Sequence, residues 1–378
     1  MKPLIGILGC GGALGREACD LLRQSCRIRG GQRSRPNNLA AAGNDSLEWV
    51  QVDLYDAAAL SDFCRGCQVI LNCAGPSYRV GDRVALAAMK AGAHYIDTFG
   101  ADFLEKSLAE NTAAPSGVVA LAAGSFPGLS GILPRWLALQ GFDVLDLLYG
   151  FAGGREYASP GGIADLLLSS VAGFGVPDAF WCNREIIRKP GDFSAKVYLP
   201  GFKEAVYVQR FFNRETARLA QNLKLQEAHW HNVMADRQAA QAIAAGCTRL
   251  AADAGEAVLA EAVAELAAVA AMVASGSSPW YTLMAELQGR AGGETIRKRA
   301  ILRSTSSYRI SGVVAAATVE AVLEQKMADG VYWAFELLNP AAVIEKLIAA
   351  GAVDSLAVAD IPPVYDQARV TEMEEGIL

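Results

Sequence analysis

The stretch Leu4–Leu22, LIGILGCGGALGREACDLL, decides the fold. A short apolar run, Leu4 to Leu8, reads as a strand, and a helical pattern follows from Arg16 to Gln24. Between them stand Gly9, Gly12 and Gly15, three residues apart, with Gly11 in addition. A glycine turn between a strand and a helix is where a doubly wound sheet holds a dinucleotide. Gly9 permits the tight exit from the strand. Gly11 and Gly12 let the backbone approach a diphosphate, and Gly15 lets the helix pack closely on the sheet. Ala13 and Leu14 complete the turn, where free N–H groups at the positive end of the helix meet the phosphates.

The residues behind the turn supply the context it needs. Cys26 to Gly31 stands where a second strand belongs, although its propensity for one is poor. LEWVQVDL reads as a third strand, AAALSDFCRG as a helix and QVILNCAG as a very apolar fourth strand. GDRVALAAMKAG, HYIDTFG, FLEKSLAENTAAPSG and VVALAAG continue as helix, strand, helix and strand. This rhythm predicts a Rossmann-type, doubly wound parallel sheet over residues 1–127.

After Pro127 the pattern changes. DVLDLLYGFAGG, REIIRK, AKVYLPG and EAVYVQRFF read as strands, followed by a long helical block from about Glu215 to Ser275. WYTLMAELQGR and ETIRKRAILRS form a hairpin around Gly292-Gly293. Residues 128–310 are therefore expected to form an α+β substrate and dimerisation domain. The strong helix beginning SGVVAAATVE opens a third segment, 311–378, of helices returning to the first domain.

Composition narrows the function. The chain has 378 residues, long enough for two domains, and a formal net charge of −6, which argues against a nucleic-acid partner. No signal peptide or membrane span is read. Glu256, Glu261 and Glu265 interrupt the alanine-rich run AGEAVLAEAVAELAAVAAMVASG, so it is expected to pack as a helix in a protein of the cytoplasm. The eight cysteines suit free thiols, and Cys64 and Cys67 lack a second pair at zinc spacing. His229 and His231, two apart, are expected on different sides of a helix, and no metal site is expected.

The end of the second strand selects the cofactor. GGQRSRPNN carries no acid from Gly30 to Asn38 to take ribose hydroxyls. Arg33, Ser34 and Arg35 instead suit a 2′-phosphate, which predicts NADPH. Asp53, closing the third strand, either accepts the adenine amine or caps the helix that follows. Ala74 and Gly75 leave room beside the nicotinamide ribose, and Pro76 fixes the exit direction.

These motifs resemble a known family. GCGGALGR, VDLYDAAAL, VILNCAGPSYRVGDRVALAAMKAGAHYIDTFG and AAGSFPGLSGILPRWLA are similar to the saccharopine dehydrogenase-like family over about the first 140 residues. The resemblance implies a Rossmann domain, an inserted α+β substrate domain, returning C-terminal helices and nicotinamide chemistry at a carbon–nitrogen bond. Two departures argue against a saccharopine or lysine substrate. Ala101 and Asp102 follow Gly100 where members often have Gly-Glu, and Ser125-Phe126 replaces a Phe-Asp pair. The middle domain, with WYTLMAELQGRAGGETIRKRA, resembles a subgroup found with siderophore assembly lines, the thiazolinyl imine reductases of the enantio-pyochelin type.

Hydride transfer to C=N needs a proton for the nitrogen. The candidates for the acid are Tyr78 after the fourth strand and Asp97 at the end of HYID, and Arg155 and Tyr157 in GGREYASPGG are the catalytic candidates that reach across the cleft to a substrate carboxylate or phenol. His94 is read as bonding locally. Phe174, Phe180 and Trp181 in GFGVPDAFW suggest an apolar cleft for a small-molecule imine. The basic stretch Arg297 to Arg303 is either a solvated strand face or an attraction for an acidic carrier protein that tethers the substrate. The hairpin is expected to offer a sheet edge for a homodimer. The leading expectation is an NADPH-dependent reductase converting a thiazoline to a thiazolidine. The alternatives are a saccharopine- or opine-type amino-acid dehydrogenase, which needs converging cations, and a non-catalytic NADPH-binding protein.

Overall fold

The four residues of VILN are wholly apolar until their last member and all are buried, so they belong in the middle of a sheet covered on both faces. The computed structural model describes residues 2–35, 47–111, 115–191, 195–275 and 278–363 and places VILN there. Expectations for residues 36–38 of the basic loop, 112–114 of the helix read in FLEKSLAENTAAPSG and 364–378 of the third segment lie outside the described residues.

The chain opens with β1 (Leu4–Leu8), α1 (Ala13–Leu22), β2 (Arg27–Gln32), β3 (Leu47–Gln51), α2 (Ala57–Cys64), β4 (Val69–Asn72), α3 (Ser77–Val80), α4 (Arg83–Lys90), β5 (His94–Asp97), α5 (Ala101–Asn111), β6 (Val118–Leu121) and α6 (Leu129–Ala138). The middle adds β7 (Val144–Arg155), α7 (Pro160–Ala172), β8 (Gly175–Pro177), β9 (Ala179–Cys182), β10 (Glu185–Arg188), β11 (Tyr207–Asn213), α8 (Arg214–Asn222), β12 (Glu227–Met234), α9 (Arg237–Ala252), α10 (Glu256–Ala274), β13 (Trp280–Ala291) and β14 (Glu294–Ser304). It closes with α11 (Ser307–Glu324), β15 (Gly330–Trp333), α12 (Ala334–Leu337), α13 (Pro340–Ala349) and β16 (Ser355–Asp360).

The first sheet is parallel, in the order β15-β6-β5-β4-β1-β2-β3. Its order reverses between β1 and β4, the switch point at which such sheets bind ligands. The poor propensity of β2 has a packing reason. A side chain at Gly31 would meet Leu8, Phe63 and Val52 within 2.8 Å, so only glycine fits under the covering helix. The second sheet runs β10-β9-β12-β7-β13-β14-β16, with β11 beside β12 and β8 beside β11.

Five expectations need correction. The helical block from Glu215 to Ser275 is interrupted by β12, which lies parallel to β7 in the middle of the second sheet. Both faces of β12 are covered, and Ala228, His229, Trp230 and His231 are all buried, so no alternation of polar and apolar residues marks it as a strand. His229 and His231 therefore share one face of a strand, with ring centroids 6.4 Å apart, and Tyr149 stacks on His229 at 4.7 Å. AKVYLPG forms only an isolated bridge between Val197 and Val206. The segment after residue 311 is not purely helical. Its β15 extends the first sheet beside β6, and its β16 pairs with β14 in the second. That pairing also covers the hairpin edge expected to be free.

The two sheets are joined through α6, α8 and α11. Glu215, at the start of α8, accepts the backbone N–H of Gly128 at 2.7 Å and the hydroxyl of Ser130 at the head of α6. Arg218 makes a bidentate pair with Glu336 and also reaches Glu105. Phe126 stacks on Trp230 with centroids 5.3 Å apart. Beside them α11 is buried from Ile310 to Val319 and packs along α1.

Among the described residues no helix is long and apolar enough to cross a membrane, and no cluster of His, Cys, Asp or Glu is arranged for a metal. All eight cysteines are free. The basic stretch of β14 is engaged within the fold. Arg297 and Arg299 both pair with Glu286, Lys298 pairs with Asp360, and Arg303 donates to the Gly201 carbonyl.

Candidate active site

A cavity of about 1480 Å³ lies between the two sheets at the carboxyl ends of β1 and β4. One wall is the glycine turn. Gly9 has φ +75°, and a side chain there would meet the backbone of Cys73 and Ala74 at 2.8 Å. A side chain at Gly15 would strike the Gly9 carbonyl. The turn is therefore closed against its own sheet, and α1 begins with no side chain capping its first N–H groups. Gly9, Gly11, Gly12, Ala13 and Leu14 line the cavity, whereas Gly15 lies behind them. The side chain of Gln32, at the end of β2, accepts the Gly11 N–H at 2.9 Å and braces the turn.

Arg33 is exposed and lines the same wall, with Ser34 and Arg35 exposed beside it. No carboxylate is paired with either arginine among the described residues. Asp53 lines the cavity, and its carboxylate accepts the Tyr55 N–H at 2.9 Å. The cap of α2 is Asp56, which takes the N–H groups of Ala58 and Ala59. Ala74, Gly75 and Pro76 complete this wall. An uncapped helix start, a backbone cradle that side chains would fill and an arginine at the end of β2 fit NADPH.

The opposite wall comes from β7, α7, β11, β12 and β13 together with the start of α11. Asp165 of α7 is 9% exposed and lines the cavity. Its Oδ1 accepts the Ser77 N–H, and its Oδ2 would be 2.6 Å from a side chain at Gly75. Burial, aided by the charge of Asp97, pushes its carboxyl up to about 7. Glu156 accepts the N–H of Ser307 at 2.7 Å and its hydroxyl at 2.6 Å, at the start of α11. Burial raises this carboxyl as well. Ser125 donates to the Tyr281 hydroxyl at 3.2 Å, and both line the cavity.

The four residues expected to carry the chemistry lie outside this lining. Tyr78 packs on Phe103, with centroids 4.6 Å apart, and burial raises its phenol. Asp97 is 3% exposed, and its oxygens are taken by Asn72 at 3.1 Å, Tyr95 at 2.5 Å and the Phe99 N–H at 2.8 Å. It fixes the ends of β4 and β5 rather than facing the cavity. Arg155 is clamped by both oxygens of Glu204 at 3.0 Å, and Tyr157 is 69% exposed. His94 does bond locally, accepting the Val118 N–H at 3.0 Å. Phe180 stacks on His229, and Trp181 is buried against Phe212. Phe174 packs between Phe99 and Phe211, which line the cavity while Phe174 does not.

The geometry agrees with comparison to known proteins. Residues 5–122 match the family model described as the saccharopine dehydrogenase NADP binding domain. The whole chain shares the fold of saccharopine dehydrogenase (L-Glu forming) from Saccharomyces cerevisiae. That similarity has a TM-score of 0.66 at 14% identity and covers 95% of this chain and 100% of the yeast one. The diaminopimelate (DAP) dehydrogenase of C. glutamicum is also similar, at a TM-score of 0.48 and 15% identity, over 92% of this chain and 98% of that one. No curated protein sequence gave a match.

Proposed function

We propose that the chain is an NADPH-dependent reductase of a carbon–nitrogen double bond, and within that class a thiazolinyl imine reductase. The observation that carries this reading is the charge of the wall opposite the glycine turn. It presents Glu156, Asp165, Tyr281 and Tyr308, the amides of Gln209 and Asn232, and otherwise apolar and small residues, with no Lys, Arg or His on this wall among the described residues to counter a carboxylate's charge. A saccharopine- or opine-type substrate brings two or more carboxylates. Leaving these unpaired in a buried site beside two further carboxyls costs several kcal/mol each. An imine heterocycle whose acyl end is masked as an ester, thioester or amide has no such requirement.

The volume supports two occupants. A single small-ligand site takes roughly 300–1,000 Å³, and this cavity is larger. Gly162, Leu166 and Ser170 stand four residues apart along the cavity side of α7. At 1.5 Å per residue the lining runs about 12 Å along the helix. Its far end is bounded by Phe211 and by Ala240, Ala244 and Cys247 of α9, which suits an uncharged ring substituent. Across the mouth, Arg79 donates to the Ala254 carbonyl at 2.7 Å and pairs with Glu256 at 3.3 Å, so the α9–α10 corner is held against α3.

Bound NADPH supplies the hydride. The chain's part is to hold the diphosphate on Gly11–Leu14, to enclose the imine between Phe99, Phe126 and Phe211, and to present acidic protons from a wall that carries no cation among the described residues.

The test follows NADPH absorbance with purified protein, offering a thiazolinyl thioester in one arm and aminoadipate semialdehyde with glutamate in the other. The expected result is a kcat/KM at least roughly 100-fold higher for the thiazoline. Turnover of the carboxylate-bearing pair alone overturns the proposal. Tight NADPH binding with no turnover of either favours the non-catalytic reading.

A further inference from the structure

We infer that Asp165 is the acid that delivers the proton to the imine nitrogen, a role that rests on the reductase reading above. Asp165 joins the two halves of the site. It rises from α7 of the second half and bonds through Oδ1 to the Ser77 N–H of the turn after β4. Its Oδ2 lies against Gly75, where the absence of a side chain leaves the oxygen its place. It lines the cavity, and no ion pair engages it among the described residues.

The other buried acids are less suited. Asp97 is saturated by three donors and does not line the cavity. Glu156 has both oxygens engaged by Ser307, one by its N–H and the other by its hydroxyl, which ties the carboxyl to the head of α11. Glu215 bonds to Gly128 and Ser130, away from the cavity. Tyr281 holds its proton far into the alkaline range because it is buried.

The step balances. The C=N π bond breaks as the hydride pair forms a C–H bond at the imine carbon. The nitrogen lone pair takes the Asp165 proton, leaving an amine, NADP⁺ and a carboxylate that water reprotonates. A carboxyl that titrates near neutrality is half protonated where it must act. The environment around Asp165 sets this. Burial first, and then the charge of Asp97 at the end of β5, disfavour its charged form, while the N–H groups of Ser77 and Tyr78 and the Ser77 side chain favour it. The Tyr78 phenol on α3 and Cys247 on α9 stay neutral, both raised by burial. Arg79, which also lines the cavity, is turned to Ala254 and Glu256.

The experiment compares wild type, Asp165→Asn and Asp165→Glu, each as the full chain. Calorimetry should give NADPH affinities within threefold of one another, which shows that the site is assembled. Carboxyl infrared difference spectra of the NADPH-free protein should contain a band titrating near pH 7 that Asp165→Asn lacks. In thiazoline reduction, kcat should fall at least roughly 100-fold in Asp165→Asn. The wild-type decline above neutrality should vanish in that variant, and Asp165→Glu should restore part of the rate with a displaced decline. Asn turnover within threefold of wild type with the same alkaline decline overturns the assignment while leaving the reductase reading standing. A wild-type protein that binds NADPH, shows the titrating band and reduces no imine overturns the reductase reading and the acid with it.

Discussion

Gly15→Ala is expected to cost both stability and cofactor binding. A methyl group at this position strikes the Gly9 carbonyl, and it would also lie 2.9 Å from Gly9 C and 3.1 Å from Cys10 Cα. These are backbone atoms, and Gly9 itself is pressed against Cys73 and Ala74, so the turn cannot yield without opening the cradle. Overpacking of this kind costs about 1–3 kcal/mol. The same displacement pulls the N–H groups of Ala13 and Leu14 away from the diphosphate. NADPH affinity should fall roughly 100-fold, at about 1.4 kcal/mol per decade. Gly12→Ala is the control. Its backbone, at φ −68° and ψ 167°, accommodates any residue, and a side chain would meet only the Gly9 carbonyl at 3.1 Å. Its melting midpoint should stay near wild type while calorimetry shows weaker binding. Equal melting and equal affinity in both variants would show that the turn does not cradle the cofactor.

Glu215 carries the second large effect. It is 3% exposed and holds the Gly128 N–H and the Ser130 hydroxyl across the junction of the two halves. Glu215→Ala leaves both donors without a partner, and a buried orphan costs about 1–3 kcal/mol each. A loss of about 3 kcal/mol in chemical unfolding is expected. Glu215→Gln keeps the shape and isolates the pH dependence. Burial lifts the carboxyl from its ordinary 4.5 to about 7 in the folded chain. Between these values the folded protein holds a proton that the unfolded chain has released. The stability this provides is complete below about pH 4.5 and is lost as pH rises through about 7. Wild type should therefore lose up to about 3 kcal/mol relative to Glu215→Gln between pH 5 and pH 8, at about 1.4 kcal/mol for each tenfold difference in proton affinity between the folded and unfolded chain. Parallel stability curves for the two proteins over this range would contradict it.

How much of this was visible in the sequence differs from residue to residue. The glycine turn, the apolar β4 and the Gly292-Gly293 hairpin are local patterns whose meaning is set within a few residues, and the structure places all three as expected. β12 is not local in that sense. A strand covered on both faces shows no alternation, and its histidines are buried by stacking on aromatic residues from other strands. The site divides in the same way. Arg33 and Gly75 follow from their position after a strand. Gln32, which braces Gly11, stands inside the stretch read for its lack of acid, but an amide gave no signal for that contact. Asp165 and Glu156 depend on partners 88 and 151 residues away, and nothing in their neighbourhood marks them. Tyr78 and Asp97 lie beside the expected turns at the correct sheet edge. Their side chains are spent on Phe103, Asn72 and Tyr95, and sequence spacing carries no information about that choice.

The most direct test is calorimetric titration of NADPH and NADH into wild type and into the Arg33→Ala/Arg35→Ala double variant. Charge-assisted bonds to the 2′-phosphate predict that wild type prefers NADPH by roughly 100-fold. They also predict that the double variant binds the two dinucleotides alike, with NADH affinity unchanged. Absence of NADPH binding by wild type, or a preference that survives the loss of both arginines, would contradict the account.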